Sequence, residues 1–234
     1  MTVRRLAFAL IALLSLCPRA AAQAPVPPVH HNVDANGINV VLGRYEFSQQ
    51  LVSIGPDWPH GLAYARMMNQ RGWSDNLTAR IWEEWSYLNL SFGNTSARFA
   101  YSNDPNNPYL PNDGSTLTRQ DDIFTFTGRD GVIAQIIVVT DEFGAIVPGK
   151  TRLLFIQYPN GARVQFHYRH EVLCDGAECT PHWRLQSATN NFSYQLHFTY
   201  AVNSLVSPAD LEPWRTMTAV RAINNAIDAC NPEA

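Results

Sequence analysis

From Phe124 onward, apolar and polar positions alternate with a period of two. Phe124 and Phe126 sandwich Thr125 and precede Thr127. Val164, Phe166 and Tyr168 fall on one side of an extended chain, and Arg163, Gln165 and His167 on the other. Leu196, Phe198 and Tyr200 stand against Gln195, His197 and Thr199 in the same way. A period of two with one apolar side predicts strands that bury one face and wet the other, as antiparallel sheets do. Asp130-Gly131 separates the run at Phe124 from Val132 to Val139, and Asn160-Gly161 separates Leu153 to Tyr158 from Ala162 to Arg169. Such dipeptides between alternating runs predict hairpins closed by type I′ turns, whose two central residues both need φ > 0.

Elsewhere the pattern is less regular. Ile38 to Phe47 and Leu62 to Met67 read as extended. Between Asn76 and Leu90, residues 79–85 fit a helical turn or a strand equally. Asn103 to Ser115 holds three Pro, four Asn and a Gly, so no regular element is expected there. Ser207-Pro208-Ala209-Asp210 has the composition of a short helix start. Val220, Ile223 and Ile227 then follow helical spacing, which predicts a helix over residues 218–230.

The first 22 of the 234 residues read as a secretion signal: Arg4 and Arg5, an apolar run from Leu6 to Leu16, and Ala20-Ala21-Ala22 as cleavage site. The run is too short for the roughly 20 residues of a membrane span. Leu16 before Cys17 argues against a lipoprotein box. Removal of the signal takes three of the 17 basic residues and none of the 20 acidic ones, so 14 oppose 20 and the net charge becomes −6. With no basic patch visible in the sequence, nucleic acid is not an expected partner. Cleavage also leaves three Cys. Cys174 and Cys179 bracket four residues between two extended runs, and export favours a disulfide between them. Cys230 is left odd.

A series of short motifs in Val33 to Asn76 resembles the entry segment of secreted bacterial RHS/YD-repeat proteins. The matching residues are Asn36-Gly37-Ile38-Asn39, Gly43-Arg44-Tyr45-Glu46-Phe47, Ser53-Ile54-Gly55, Gly61-Leu62-Ala63-Tyr64-Ala65-Arg66 and Gly72-Trp73-Ser74-Asp75-Asn76. Phe124 to Cys230 is similar more loosely. The Tyr-Asp-x-x-Gly-Arg-Leu core of a full repeat is absent, and no constant period of about 20 residues runs through the chain. The resemblance implies β-hairpins that wind into a shell, strands rather than helix after Asn76, and an extended segment at Val220 to Cys230 where periodicity predicts helix.

Four groups of residues invite a chemical reading. His167, His170, Cys174, Cys179 and His182 contain a conceivable zinc set, but a local disulfide with solvent-facing His fits the spacing better. Trp82-Glu83-Glu84-Trp85 pairs carboxylates with indoles, yet adjacent Glu side chains diverge on any regular backbone, so they do not flank one bond. That leaves a solvated turn with buried Trp. His30-His31 sits in a Pro-rich arm. Asn76, Asn89, Asn94 and Asn191 open glycosylation-type triplets, which the bacterial source implied by the resemblance makes chance matches.

The reading is therefore a mainly β protein of antiparallel hairpins, forming a sandwich or the start of an RHS-type shell, with a short C-terminal helix. Its organisation is a signal (1–22), an arm (23–32), an N-terminal β region (33–102), a loop (103–115), a hairpin region (116–206) and a C-terminal segment (207–234). It is expected to be exported to the periplasm, cell surface or medium, and to be a structural or interaction protein with no catalytic residue, cofactor or metal. A carbohydrate-binding sandwich using exposed Trp58, Trp82, Trp85 and Trp183 is the alternative, and a secreted hydrolase a third. Partners would be further shell segments or a second copy, met through an open sheet edge. Gln195 to Tyr200 carries no Lys, Arg or Pro, so its edge is free to pair with a shell continuation, the C-terminal segment or a second molecule.

Overall fold

The structure is a computed structural model that describes residues 38–39, 44–45, 47–69, 72–93, 95–104, 108–111, 113–147, 149–175 and 178–228. The signal, the arm with His30-His31, the Asn36-Gly37 turn and Cys230 lie outside the described residues. Among those residues no helix is long and apolar enough to cross a membrane.

The chain is mainly β, and every strand pair among the described residues is antiparallel. Strands β1 (Ile38–Asn39) and β2 (Arg44–Tyr45) form a small pair. β3 (Phe47–Ile54), β4 (Leu62–Asn69) and β5 (Gly72–Asp75) form one sheet. β6 (Ala79–Glu84), β7 (Tyr87–Phe92), β8 (Thr95–Tyr101) and β9 (Tyr109–Pro111) form a second. The third has eight strands: β10 (Thr116–Gln120), β11 (Ile123–Thr127), β12 (Ile133–Ile137), β13 (Arg152–Gln157), β14 (Arg163–Asp175), β15 (Glu178–Asn190), β16 (Tyr194–Tyr200) and β17 (Met217–Asn224). In every sheet, spatial order is chain order.

Both anticipated hairpins form, but with another turn. Gly131 N–H donates to Gly128 O at 2.9 Å and Gly161 N–H to Tyr158 O at 3.0 Å. Only the glycines take positive φ, +80° and +83°. Each turn is thus an ordinary one followed by a left-handed glycine, the three-residue hairpin loop rather than type I′. Asp130 and Asn160 keep right-handed backbones, and their Oδ1 atoms accept from Val132 N and Ala162 N at 3.1 and 3.0 Å. This side-chain bond is what Asp and Asn offer a turn.

Alternation places the core as expected. Phe124, Phe126, Val164, Phe166, Leu196 and Phe198 are buried, each full burial contributing about 1.5–3 kcal/mol. Gln195 departs from the pattern: it is as buried as Leu196 and lies opposite buried Ile223. The three sheets share one core. Phe126 meets Phe92 and Phe99 edge-on at 5.5 and 6.3 Å, Tyr109 meets Phe124, and Tyr64 meets Phe198. The four-stranded sheet therefore covers β11, and the three-stranded sheet covers β16.

Three expectations need correction or resolution. Residues 79–85 are not helical: β6 and β7 pair across a two-residue turn in which Trp85 takes φ 55°. The Asn103 to Ser115 loop contains β9, whose Tyr109 packs inward while its backbone pairs with β8. Most plainly, the helix predicted over 218–230 is strand β17 as far as Asn224. It pairs with β16 from Tyr194↔Asn224 to Tyr200↔Met217. The free edge of β16 supplies a full ladder of backbone partners, and Thr218, Val220 and Ile223 are β-branched residues that suit it. The helical turns lie upstream, a 3-10 turn at Pro208–Asp210 and an α-helical turn at Leu211–Arg215. Asp210 starts them by accepting from Ser207 N–H and Oγ–H at 2.8 and 2.9 Å. Of the three partners open to the Gln195 to Tyr200 edge, the C-terminal segment takes the place.

Candidate functional site

β14 and β15 are 13 residues each, longer than anything beside them. β13 pairs with β14 only at Arg163 to Gln165, and β16 with β15 only at Ser187 to Thr189. The two strands continue together past these neighbours as a two-stranded arm. A bulge opposite the step from His167 to Tyr168 inserts Gln186 in β15, which increases local twist where the arm leaves the sheet. At the far end Cys174 stands opposite Cys179 with Cα atoms 4.0 Å apart, and the two sulfurs are bonded. The hairpin brings them within the roughly 7 Å a bridge needs.

The base of the arm is tied down by polar groups. Arg184 is buried and donates to the carbonyls of Trp214 and Val202 at 2.7 and 2.8 Å, with its guanidinium over the rings of Tyr200 and Trp214. Glu171 accepts from Arg169 Nε at 2.8 Å with one oxygen and from Leu205 N–H with the other. Tyr200 O–H donates to Leu185 O. Burial pushes the Tyr200 phenol well above its ordinary value, against the opposing pull of Arg184. Residues 201–215 are thereby held along one side of the arm.

The histidines are dispersed around this framework. His170 is exposed and stacks on Trp183 at 4.9 Å. His167 is within 2.9 Å of Thr189 Oγ1. His182 is buried, with Nδ1 3.2 Å from Arg215 Nη2, and is held below the ordinary imidazole range by burial, then by Arg215 and Lys150. With the sulfurs bonded to each other, the five residues do not converge as one ligand set.

The indoles are dispersed too. Trp183 carries the Arg152 guanidinium over its ring at 3.9 Å as well as His170 beside it. Trp58 meets Tyr158 edge-on at 6.2 Å and donates its N–H to the Tyr158 hydroxyl. Trp85, expected to be buried, is almost fully exposed at the β6–β7 turn, and Trp82 is half-buried. Asn76 is a structural pin: its Nδ2 donates to Ala63 O and its Oδ1 accepts from Ala65 N–H, at 2.9 and 2.8 Å.

Two open features face outward. A groove of about 640 Å³ runs along the arm base between Ile137, Leu154, His167 and Trp183. A second, of about 700 Å³, lies between Leu51 and Val52 of β3 and Thr218 to Val220 of β17, with Tyr64 and Arg66 in its wall. β3 and β17 are the outermost strands of their sheets, and neither pairs across this gap among the described residues. The sequence reading left the Gln195 to Tyr200 edge to a shell continuation, the C-terminal segment or a second molecule; with the C-terminal segment in place, the outermost strand is β17. That reading missed Arg152, Arg184 and Arg215, which no local motif marks. The sequence matches no protein-family model and no curated protein.

Proposed function

We propose that this chain is an exported, non-enzymatic interaction protein, a piece of β-shell that receives an extended strand from a further RHS-type segment. The observation that carries this is the pair of unpaired edges, β3 and β17, lining one groove. Unpaired strand edges present rows of N–H and C=O groups, and strand addition is the usual way such rows are satisfied by a partner. β17 offers no Pro, and of its eight residues only Arg221 is charged, so little on it repels a strand. Consecutive hairpins in chain order suit an architecture that grows by adding the next hairpin. The resemblance of Val33 to Asn76 to RHS entry segments supports the same reading.

The test is amide exchange on the mature protein, alone and with a candidate shell segment produced separately. Outward amides of β3 and β17 are expected to exchange freely alone and to become protected together on adding the segment. A Val220→Pro variant removes one backbone donor from β17 and should lower capture. Protection that rises with protein concentration alone would identify a second copy as the strand donor. A concentration-independent monomer whose β3 and β17 amides are already protected would refute the reading.

A further inference from the structure

We propose that the pocket between Lys150, Arg152, His182 and Arg215 is a binding site for a phosphate-type oxyanion, taken either as the free ion or as the head of a monoester. The pocket is distinct from the groove between β3 and β17, although Arg215 borders both. Its volume is about 160 Å³. That is below the roughly 300 Å³ at which sites for drug-sized ligands begin, so a compact group fits it.

The lining is one-sided in charge. Lys150, Arg152, Arg184 and Arg215 all contribute, with His182, Thr78 and Thr151, and no Asp or Glu lines it. Lys150 is the only lysine in a chain whose acids outnumber its bases, 20 to 17. The nearby carboxylates are committed elsewhere. Glu171 is held by Arg169 and Leu205 N–H. Asp75 accepts from Leu77 N–H and Thr78 Oγ1, both at 2.9 Å. Among the described residues, no ion pair joins a carboxylate to Lys150, Arg152 or Arg215. The two charges that act most on His182 are both positive.

The lining also holds donors without acceptors. Thr151 Oγ1, Arg152 Nε and Arg184 Nε are buried and have no hydrogen-bond partner among the described residues. These sealed donors belong to the walls behind the pocket, so the groups left to meet a bound ion are the outer nitrogens of Lys150, Arg152 and Arg215. Arg152 Cζ lies 3.9 Å over the Trp183 ring, which holds the guanidinium at the pocket, and an Arg fork matches the oxygens of a phosphate. A carboxylate has two oxygens and one charge. A phosphate has more oxygens and up to two charges, closer to what three uncompensated cations demand.

The probes are inorganic phosphate, glycerol phosphate and acetate, titrated calorimetrically into the full mature protein at fixed ionic strength. Saturable binding of phosphate or glycerol phosphate is expected, with acetate much weaker. The tighter of the first two separates a free ion from an ester as the source. Lys150→Met and Arg215→Met should each weaken it by roughly tenfold, the scale of one charge-assisted contact. A readout independent of those variants is acetylation of Lys150 followed by intact mass, which bound phosphate should slow. No saturable binding, acetate binding as tightly, affinity unchanged in the double variant, or acetylation indifferent to phosphate would each overturn the assignment.

Discussion

The two halves of the β14–β15 hairpin are built from the same backbone ladder and held by different forces. The inner half, from Arg163 to Tyr168 and from Leu185 to Asn190, has β13 and β16 alongside. It also buries Val164, Phe166 and Ala188. The outer half, from Arg169 to Asp175 and from Glu178 to Arg184, has no strand at its sides among the described residues. It exposes Val172 and Cys174, and its support is a disulfide at the tip and Arg184 with Glu171 at the base. Backbone pairing alone does not keep a two-stranded ribbon folded in water. The inner half is stabilised by burial, and the outer half by a staple at one end and polar ties at the other.

That contrast can be broken from either side. The largest effect is expected from Phe166→Ala in the inner half, where a buried aromatic leaves a cavity: about 3–5 kcal/mol off global stability by denaturant unfolding. Next is Arg184→Met. It keeps bulk but leaves the Val202 and Trp214 carbonyls without their donor, for roughly 1–3 kcal/mol. Its amide exchange should rise in the arm and in residues 201–215 together. If only the arm loosens, Arg184 does not couple the two. The double change Cys174→Ser, Cys179→Ser opens a loop of sequence separation 5, worth at most about 2 kcal/mol in the chain-entropy model. Its effect should be confined to exchange in Leu173 to Thr180, with the inner half unmoved. A comparable fall in global stability would make the two halves one cooperative unit.

The smallest effect is electrostatic. His182 has a folded-state pKa below its unfolded value of roughly 6.5, so the unfolded chain binds a proton that the folded chain refuses. The folded state therefore loses stability as pH falls through that value, a range above the usual titration of Asp and Glu. His182→Gln should flatten the slope of stability against pH between about 7 and 5. A slope unchanged in the variant would place the sensitivity on another group.

The sequence carried the inner half far better than the outer. Alternation and the Asp130-Gly131 and Asn160-Gly161 dipeptides located hairpins because a strand's period and a turn's left-handed residue are local properties. Their loop type was misjudged because Asp and Asn accept a hydrogen bond from the backbone two residues on without leaving the right-handed region. Val220, Ile223 and Ile227 mimic a helix face, and although the composition of Gln195 to Tyr200 marked a free edge, nothing local showed which of three partners would fill it. The Cys174–Cys179 bridge was legible from the extended runs on either side of the pair together with the expected export. The pocket was not: Lys150 and Arg152 precede β13 or begin it, His182 lies on β15, and Arg215 ends a helical turn. Only tertiary structure puts their charges together.

A meander of this kind also dictates an order of assembly. Each strand finds its partner in the hairpin just made, so most of the ladder can close over short chain separations. The widest separation lies at the seam where the first sheet covers the last strands. There Asn190 Nδ2 donates to the carbonyl of His60, 130 residues away, and Tyr64 lies against Phe198. Loop-closure entropy falls most heavily on such contacts, and rates of folding track distant contacts more than near ones. That seam brings early and late parts of the described chain together, and the groove between β3 and β17 is the line along which its pairing stops short.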